Sequence, residues 1–137
     1  MTLKPQYLLD TNIISEMVRN PHGEIKNIIA EKGEDSVCTS IIVSSELRFG
    51  VEKKGSEKLR FQLEAILSTI EILPFQEPSD RQYANLRSIL EKKGTPIGPN
   101  DLLIAAHAVS LGLVLVTANY KEFSRVPGLA VENWLDR

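Results

Sequence analysis

Four oxygen-bearing side chains fall where a parallel α/β sheet would collect them. Asp10 ends the apolar run Tyr7-Leu8-Leu9, and Asn119 follows Leu113-Val114-Leu115-Val116 by way of Thr117-Ala118. Asp101 opens an alanine-rich stretch after Gly98-Pro99-Asn100, where a helix dipole favours a carboxylate by about 0.3–1 kcal/mol. Glu46 sits between Val43 and Leu47, at the border of an inward helix face. Three such carboxylates drawn together would repel by roughly 4 kcal/mol per pair at ~4 Å and an effective dielectric of ~20. A divalent cation removes that cost. Oxygen ligands without Cys and without clustered His suit Mg²⁺ or Mn²⁺ rather than Zn²⁺. Such an ion keeps several waters, can clamp a phosphodiester and can activate water to attack phosphorus. Spacing leaves a blander reading open, because an Asp at a strand end is commonly a turn former or N-cap. A carboxylate beside an apolar helix stripe is commonly the edge of a solvated face.

The elements that must position these residues follow from the hydrophobic pattern. Tyr7-Leu8-Leu9 reads as a buried strand, as do Ser36-Val37-Cys38-Thr39, Ile70 to Leu73 before Pro74, and Leu113 to Val116. Four apolar residues in succession suit a strand buried on both faces. A last short strand is expected near Ala130-Val131. Asn20-Pro21 predicts an N-cap and first helical position for a helix with Ile25, Ile28 and Ile29 inward, stopped by Gly33. Val43, Leu47 and Val51 recur every fourth residue in a helix over Ile41 to Lys54, closed by Gly55. Leu59, Leu63, Ile66, Leu67 and Ile70 mark the next helix; Tyr83, Leu86 and Leu90 carry another, ending at Gly94. The last runs from Asp101 to Leu111 and stops at Gly112. Strands alternating with helices imply a parallel sheet with helices on both sides. Ligands of such folds bind beyond the carboxyl ends of the strands, at a topological switch point.

The 137 residues suit one domain, 1–137, and can bury a core without staples. The single Cys38 excludes a disulfide scaffold and a thiolate-rich zinc site. The first residues lack the apolar core of a signal peptide, and Leu102 to Val116 is too short and interrupted to span a bilayer, so a cytoplasmic protein without membrane attachment is expected. A net charge of −2 argues against holding nucleic acid by charge alone. Cations do gather at Arg48, Lys53, Lys54, Lys58 and Arg60, at Lys92 and Lys93, and at Lys121 and Arg125. Taken alone, such clusters are commonly solvated helix faces.

Four motifs occur in order: Leu8-Leu9-Asp10-Thr11-Asn12-Ile13-Ile14; Ser45-Glu46-Leu47-Arg48-Phe49-Gly50; Gly98-Pro99-Asn100-Asp101 through Ala108; and Val116-Thr117-Ala118-Asn119 with Glu122-Phe123. Together with Arg125-Val126-Pro127-Gly128-Leu129 and Trp134, this set resembles PIN-domain proteins, and most of all the VapC toxins. The resemblance implies a three-layer fold with four or five parallel strands, and Mg²⁺-dependent cleavage of RNA, with tRNA the leading target. It makes Asp10, Glu46 and Asp101 the acidic core, Asp10 and Asp101 as direct ligands and Glu46 as a ligand directly or through water. Thr11 would orient Asp10 through its hydroxyl, and Asn12 would cap the following helix. Many family members carry a fourth acidic residue where this chain has Asn119. An amide there can hold a cation-bound water but adds no charge, so one strong site and a weaker one filled by substrate phosphate are expected. The resemblance also implies a homodimer and a VapB-like antitoxin, with DNA contacted only through that partner.

Two other classes fit the same pattern. A receiver-type phosphoacceptor domain would place paired acids after its first strand and a Lys after its last, which this chain lacks. A PIN-like binding module without activity would have no need of Asp10, Glu46 and Asp101. No G-x-S-x-G and no glycine-rich nucleotide loop occurs. His107 reads as a satisfied core histidine rather than a general base, and His22 as exposed. Cys38 reads as a small buried hydrophobe. Phe49 and Phe61 read as packing residues, with Phe49 beside Gly50 able to meet a partner.

Overall fold

In a computed structural model, residues 5–135 are described. The chain runs β1 (Tyr7–Leu9), α1 (Thr11–Arg19), α2 (Glu24–Lys32), a 3-10 turn (Glu34–Ser36) and β2 (Val37–Ser40). It continues with α3 (Ile41–Lys54), α4 (Glu57–Leu67), β3 (Glu71–Leu73), α5 (Ser79–Lys92) and α6 (Pro99–Leu111). It ends on β4 (Val114–Val116), α7 (Tyr120–Phe123) and β5 (Val131–Glu132). The five strands form one parallel sheet in the order β3-β2-β1-β4-β5. The protein is thus a three-layer α/β fold.

This order decides where a site can form. From β1 the chain steps outward to β2 and then β3, and right-handed crossovers put α1 to α4 on one face. It then returns across the sheet to β4, which places α5 and α6 on the other. Connections leave β1 and β4 in opposite directions, so a crevice opens beyond their carboxyl ends. Leu8 and Leu9 of β1 and Leu115 and Val116 of β4 are all fully buried. Their register sets Leu9 opposite Val116, so the residues that follow each strand emerge side by side.

Local chemistry fixes the helices that border this crevice. Ser40 caps α3 by accepting the Ile42 N–H at 3.0 Å, and Gly55 closes it in the left-handed conformation at φ 66°. Ser56 caps α4 by accepting the Leu59 N–H at 3.1 Å. Pro99 occupies the first turn of α6, where its missing N–H costs nothing.

Several expectations change. Asn20-Pro21 does not begin a helix. Ile13, Ile14 and Met17 form a buried stripe that draws the chain after Asp10 into α1, and Asn20 ends that helix by donating its N–H to Glu16 O at 2.8 Å. The next helix starts at Glu24 after Gly23. Ser36 belongs to the 3-10 turn rather than to β2, and α7 is an addition that its four-residue length hides from a periodicity reading. Phe49 and Phe61 do not pack: they are 68% and 78% exposed on α3 and α4. Arg48 and Arg60 are committed to ion pairs with Glu64 and with Glu52 and Glu57, bracing α3 against α4. Among the described residues no helix is long and apolar enough to cross a membrane.

Candidate active site

Asp10 lies where the chain turns from β1 into α1. Its backbone N–H donates to Val116 O at 2.9 Å, locking it to the end of β4. Its own carbonyl accepts the Ile13 and Ile14 N–H groups, while its side chain makes no capping bond and is left for other use. Asp10 Oδ2 accepts the Thr117 hydroxyl at 2.7 Å, and Thr117 Oγ1 in turn accepts the Asn119 N–H at 3.0 Å. The other oxygen, Oδ1, is buried with no hydrogen-bond partner, on a residue only 3% exposed.

The remaining carboxylates arrive from helices. Glu46, on α3, accepts the Thr11 hydroxyl on Oε1 at 3.1 Å and the Asn100 amide on Oε2 at 3.4 Å. Asp101 stands in the first turn of α6. Beside it comes Glu122 of α7, whose Oε1 accepts the Gly98 N–H at 3.1 Å and whose Oε2 accepts the Asn119 amide at 2.7 Å. Asn119 therefore faces Glu122. A further carboxylate thus stands three residues beyond Asn119, at the start of the chain's return towards β5.

Electrostatics follow this crowding. Burial pushes Asp10 above the ordinary carboxylate range, with Glu46 adding to the rise, against the Thr117 hydroxyl and smaller contributions from Thr11. Asp101 is pushed up to about 7 by burial first, then by Glu122, Asp10 and Glu46. Glu122 moves the other way. Burial raises it, but the Gly98 N–H, the Asn119 amide, the bond with Asp101 and the charge of Arg125 together lower it further. Below about pH 7 the Asp101–Glu122 pair retains a proton, and that proton belongs to the pair.

Among the described residues no three His, Cys, Asp or Glu side chains form a ready-made metal shell. Asp10, Glu46 and Glu122 each accept from donors of the protein instead. The donor set nevertheless fits a hard divalent cation. It is all oxygen, one member has a desolvated and unpartnered oxygen, and another retains a proton that a cation could displace.

Two supporting roles differ from expectation. Thr11 donates its hydroxyl to Glu46 as well as acting on Asp10, and Thr117 makes the stronger hydrogen bond to Asp10. Asn12 does not cap α1. Its Oδ1 accepts the Ala118 N–H at 2.9 Å and its Nδ2 lies at 3.4 Å from Thr117 Oγ1, tying the two strand ends together. His107 is buried and its pKa is lowered by burial; Nδ1 bonds Ser40 Oγ at 2.8 Å, and Nε2 has no partner of good geometry. It belongs to the core beneath α3 and α6. Glu122, Thr117 and Asn100 are the residues that sequence reasoning passed over as site candidates. Glu122 stood in the fourth motif as Glu122-Phe123 but was given no role there.

A parallel sheet covered on both faces, with carboxylates gathered at its switch point, defines the PIN type of α/β protein. Residues 7–129 match the model of the family described as PIN domain. Ribonuclease VapC2 of Rickettsia felis is 42% identical over 130 residues, covering 93% of this chain and 97% of that one. The tRNA(fMet)-specific endonuclease VapC of Salmonella typhimurium is 35% identical over 130 residues, covering 94% and 98%. The crystal structure of VapBC2 from Rickettsia felis bound to a promoter DNA fragment superposes with a TM-score of 0.85 at 41% identity, covering 93% of this chain and 98% of that one. The chain belongs to the PIN-domain family and, within it, to the VapC ribonucleases.

A raised carboxyl pKa makes stability fall as pH rises. The contribution from Asp101 is fully present below its unfolded value near 3.8 and is lost as pH climbs through about 7; Asp10 acts in the same direction. In EDTA the melting temperature should therefore drop between pH 5 and pH 8. Asp101→Asn should flatten that slope and melt higher than wild type at pH 8. A wild-type profile that rises over this range, or a variant that melts lower, would contradict the described electrostatics.

Proposed function

We propose that this chain is the toxin of a toxin–antitoxin pair, an endoribonuclease that needs Mg²⁺ or Mn²⁺ and uses Asp10, Glu46 and Asp101 to hold the cation. The observation that carries the reading is the buried, unpartnered Oδ1 of Asp10 among carboxylates at the switch point. When bound there, a divalent cation offsets the carboxylate repulsion and supplies the positive charge that holds a phosphodiester and makes a water acidic enough to attack it. The chain's own residues do the rest. Thr117 hydrogen-bonds Asp10, Thr11 and Asn100 hold Glu46, and Asp101 would release its proton to solvent if it held the cation. The substrate we favour is tRNA, on the strength of the Salmonella typhimurium relative's name.

The partner reading rests on a second feature. A groove of about 260 Å³ runs between α1, α3 and α4, with Thr11 and Glu46 at one end and Val18, Val51, Leu59 and Leu63 along it. Exposed Phe49 and Phe61 stand on the helices that form it. An antitoxin segment with apolar anchors suits this groove, and an Arg at its end would meet the carboxylates bidentately. The likeness to the Rickettsia felis VapBC2 complex supports a VapB-like partner of this kind.

Purified protein should cleave RNA with Mg²⁺ and stop in EDTA. Asp10→Asn should lower the rate by about 10² or more while the protein stays folded, the scale at which loss of a charge-stabilising group slows an enzyme. Cleavage that persists in excess chelator would sink the mechanism. In cells, wild-type chain expressed alone should arrest growth, and the neighbouring gene product should restore it through a complex that survives gel filtration. Leu59→Glu, which puts a charge into the groove, should stay toxic but lose at least about tenfold in antitoxin affinity, a change of ~1.4 kcal/mol. Full rescue of that variant would place the partner elsewhere.

A further inference from the structure

We propose that Arg125 holds an RNA backbone phosphate next to the one at the cation site, so that the substrate strand leaves the crevice across the turn into α6. The inference rests on the nuclease reading above and deepens it by adding a substrate-binding residue. A chain with a net charge of −2 must hold a polyanion through a few well-placed cations rather than through its overall field. Arginine suits that task, because its planar fork donates to two phosphate oxygens at once.

Most of the described arginines are already committed. Arg19 pairs with Glu16, Arg48 with Glu64, Arg60 with Glu52 and Glu57, and Arg87 with Glu91. Arg81 and Arg125 make no ion pair among the described residues. They stand at opposite edges of the sheet. Arg81 is in the first turn of α5, two residues from Ser79, whose hydroxyl bonds that of Ser110 at the end of α6 at 2.7 Å. Asp101 is in the first turn of the same helix, about 13 Å along its axis from Ser110. Arg81 is therefore remote from the carboxylates.

Arg125 is on the near edge. Its Nη1 donates to Pro96 O at 3.4 Å, which sets the guanidinium against the turn whose Gly98 N–H binds Glu122. Its charge acts on Glu122, yet both Glu122 oxygens already have donors, Gly98 and Asn119, and no ion pair forms. The charges that act on Asp101 are Glu122, Asp10 and Glu46. Arg125 thus stands on the rim, outside the carboxylates, where a phosphate beside the scissile one would pass. One long hydrogen bond leaves the rest of its fork open. The backbone beneath it is fixed. Phe123 and Val126 on either side are buried, and the Arg125 N–H donates to Glu122 O at 3.2 Å. A cation anchored at the crevice edge without a carboxylate partner is what a polyanionic strand requires.

The test is the salt dependence of RNA binding. The full chain with Asp10→Asn, kept in EDTA, should bind bulk tRNA without cutting it and leave K⁺ as the competing cation. In that background Arg125→Gln should weaken binding and make the fall of log affinity with log [KCl] shallower by about 0.7–0.9, the value of one phosphate contact. Arg125→Lys keeps the charge and should restore the slope, while Arg81→Gln should leave it unchanged. With Asp10 intact and Mg²⁺ present, Arg125→Gln should raise KM for tRNA cleavage with kcat and melting temperature unchanged. An unchanged slope in Arg125→Gln, an equal loss in Arg81→Gln, a loss that Arg125→Lys does not restore, or no tRNA binding by the Asp10→Asn chain would each overturn the proposal. Wild-type cleavage separates this failure from a wider one. If wild-type protein cuts RNA with Mg²⁺ while Arg125→Gln keeps its slope and KM, only the role of Arg125 falls; if wild-type protein cuts no RNA, the nuclease reading falls and this proposal with it.

Discussion

Asp10 is a carboxylate taken out of water at the mouth of a parallel sheet, with one oxygen bonded to Thr117 and the other to nothing. An isolated buried charge is among the most expensive features a fold can carry, and it persists only when its surroundings over-determine its position. Here they do. The Asp10 N–H is bonded to β4, its carbonyl accepts from α1, and its side chain is fixed by the residue after β4. Glu46 and Asp101 then bring further carboxyl groups to the same place, so the site carries a repulsion that the protein's own groups only partly relieve.

The sheet order is what makes that concentration feasible. β1 and β4 are central neighbours whose connections leave in opposite directions, so their two strand ends open onto a space not filled by the next crossover. The helices are pinned to that opening from below. Ser40 caps α3 and also bonds His107 of α6, so the helices carrying Glu46 and Asp101 share one buried hydroxyl. Asn12 and Thr117 do the same for the two strand ends. The surrounding polar groups thus act as the frame that holds the carboxylates in a narrow range of positions.

Much of this was legible in the sequence. The strands could be read because buried parallel strands are continuous apolar runs, and α3 and α6 because periodicity and terminating glycines agree. The dipeptide Asn20-Pro21 misled because the same residue types that begin helices also end them, and tertiary burial of Ile13, Ile14 and Met17 decided between the two. Phe49 and Phe61 misled because aromatic residues usually mean packing, whereas their place on the outer sides of α3 and α4 depends on how those helices are rolled. The site positions Asp10, Glu46 and Asp101 came from motif order, and the fold sets them around one crevice. Glu122 and Thr117 were visible in the fourth motif, but their roles were not, for a different reason. Their importance lies in a hydrogen-bond network across segments up to 107 residues apart, which no local pattern encodes.

The central claim is that the charge gathered at the β1–β4 switch point is held there for a divalent cation. Anomalous diffraction from crystals grown with Mn²⁺ tests it most directly. The account predicts a single strong peak between Asp10 and Asp101, within coordination distance of Asp10 Oδ1. Well-ordered crystals at millimolar Mn²⁺ with no peak at that position, or with manganese bound only elsewhere on the surface, would contradict it.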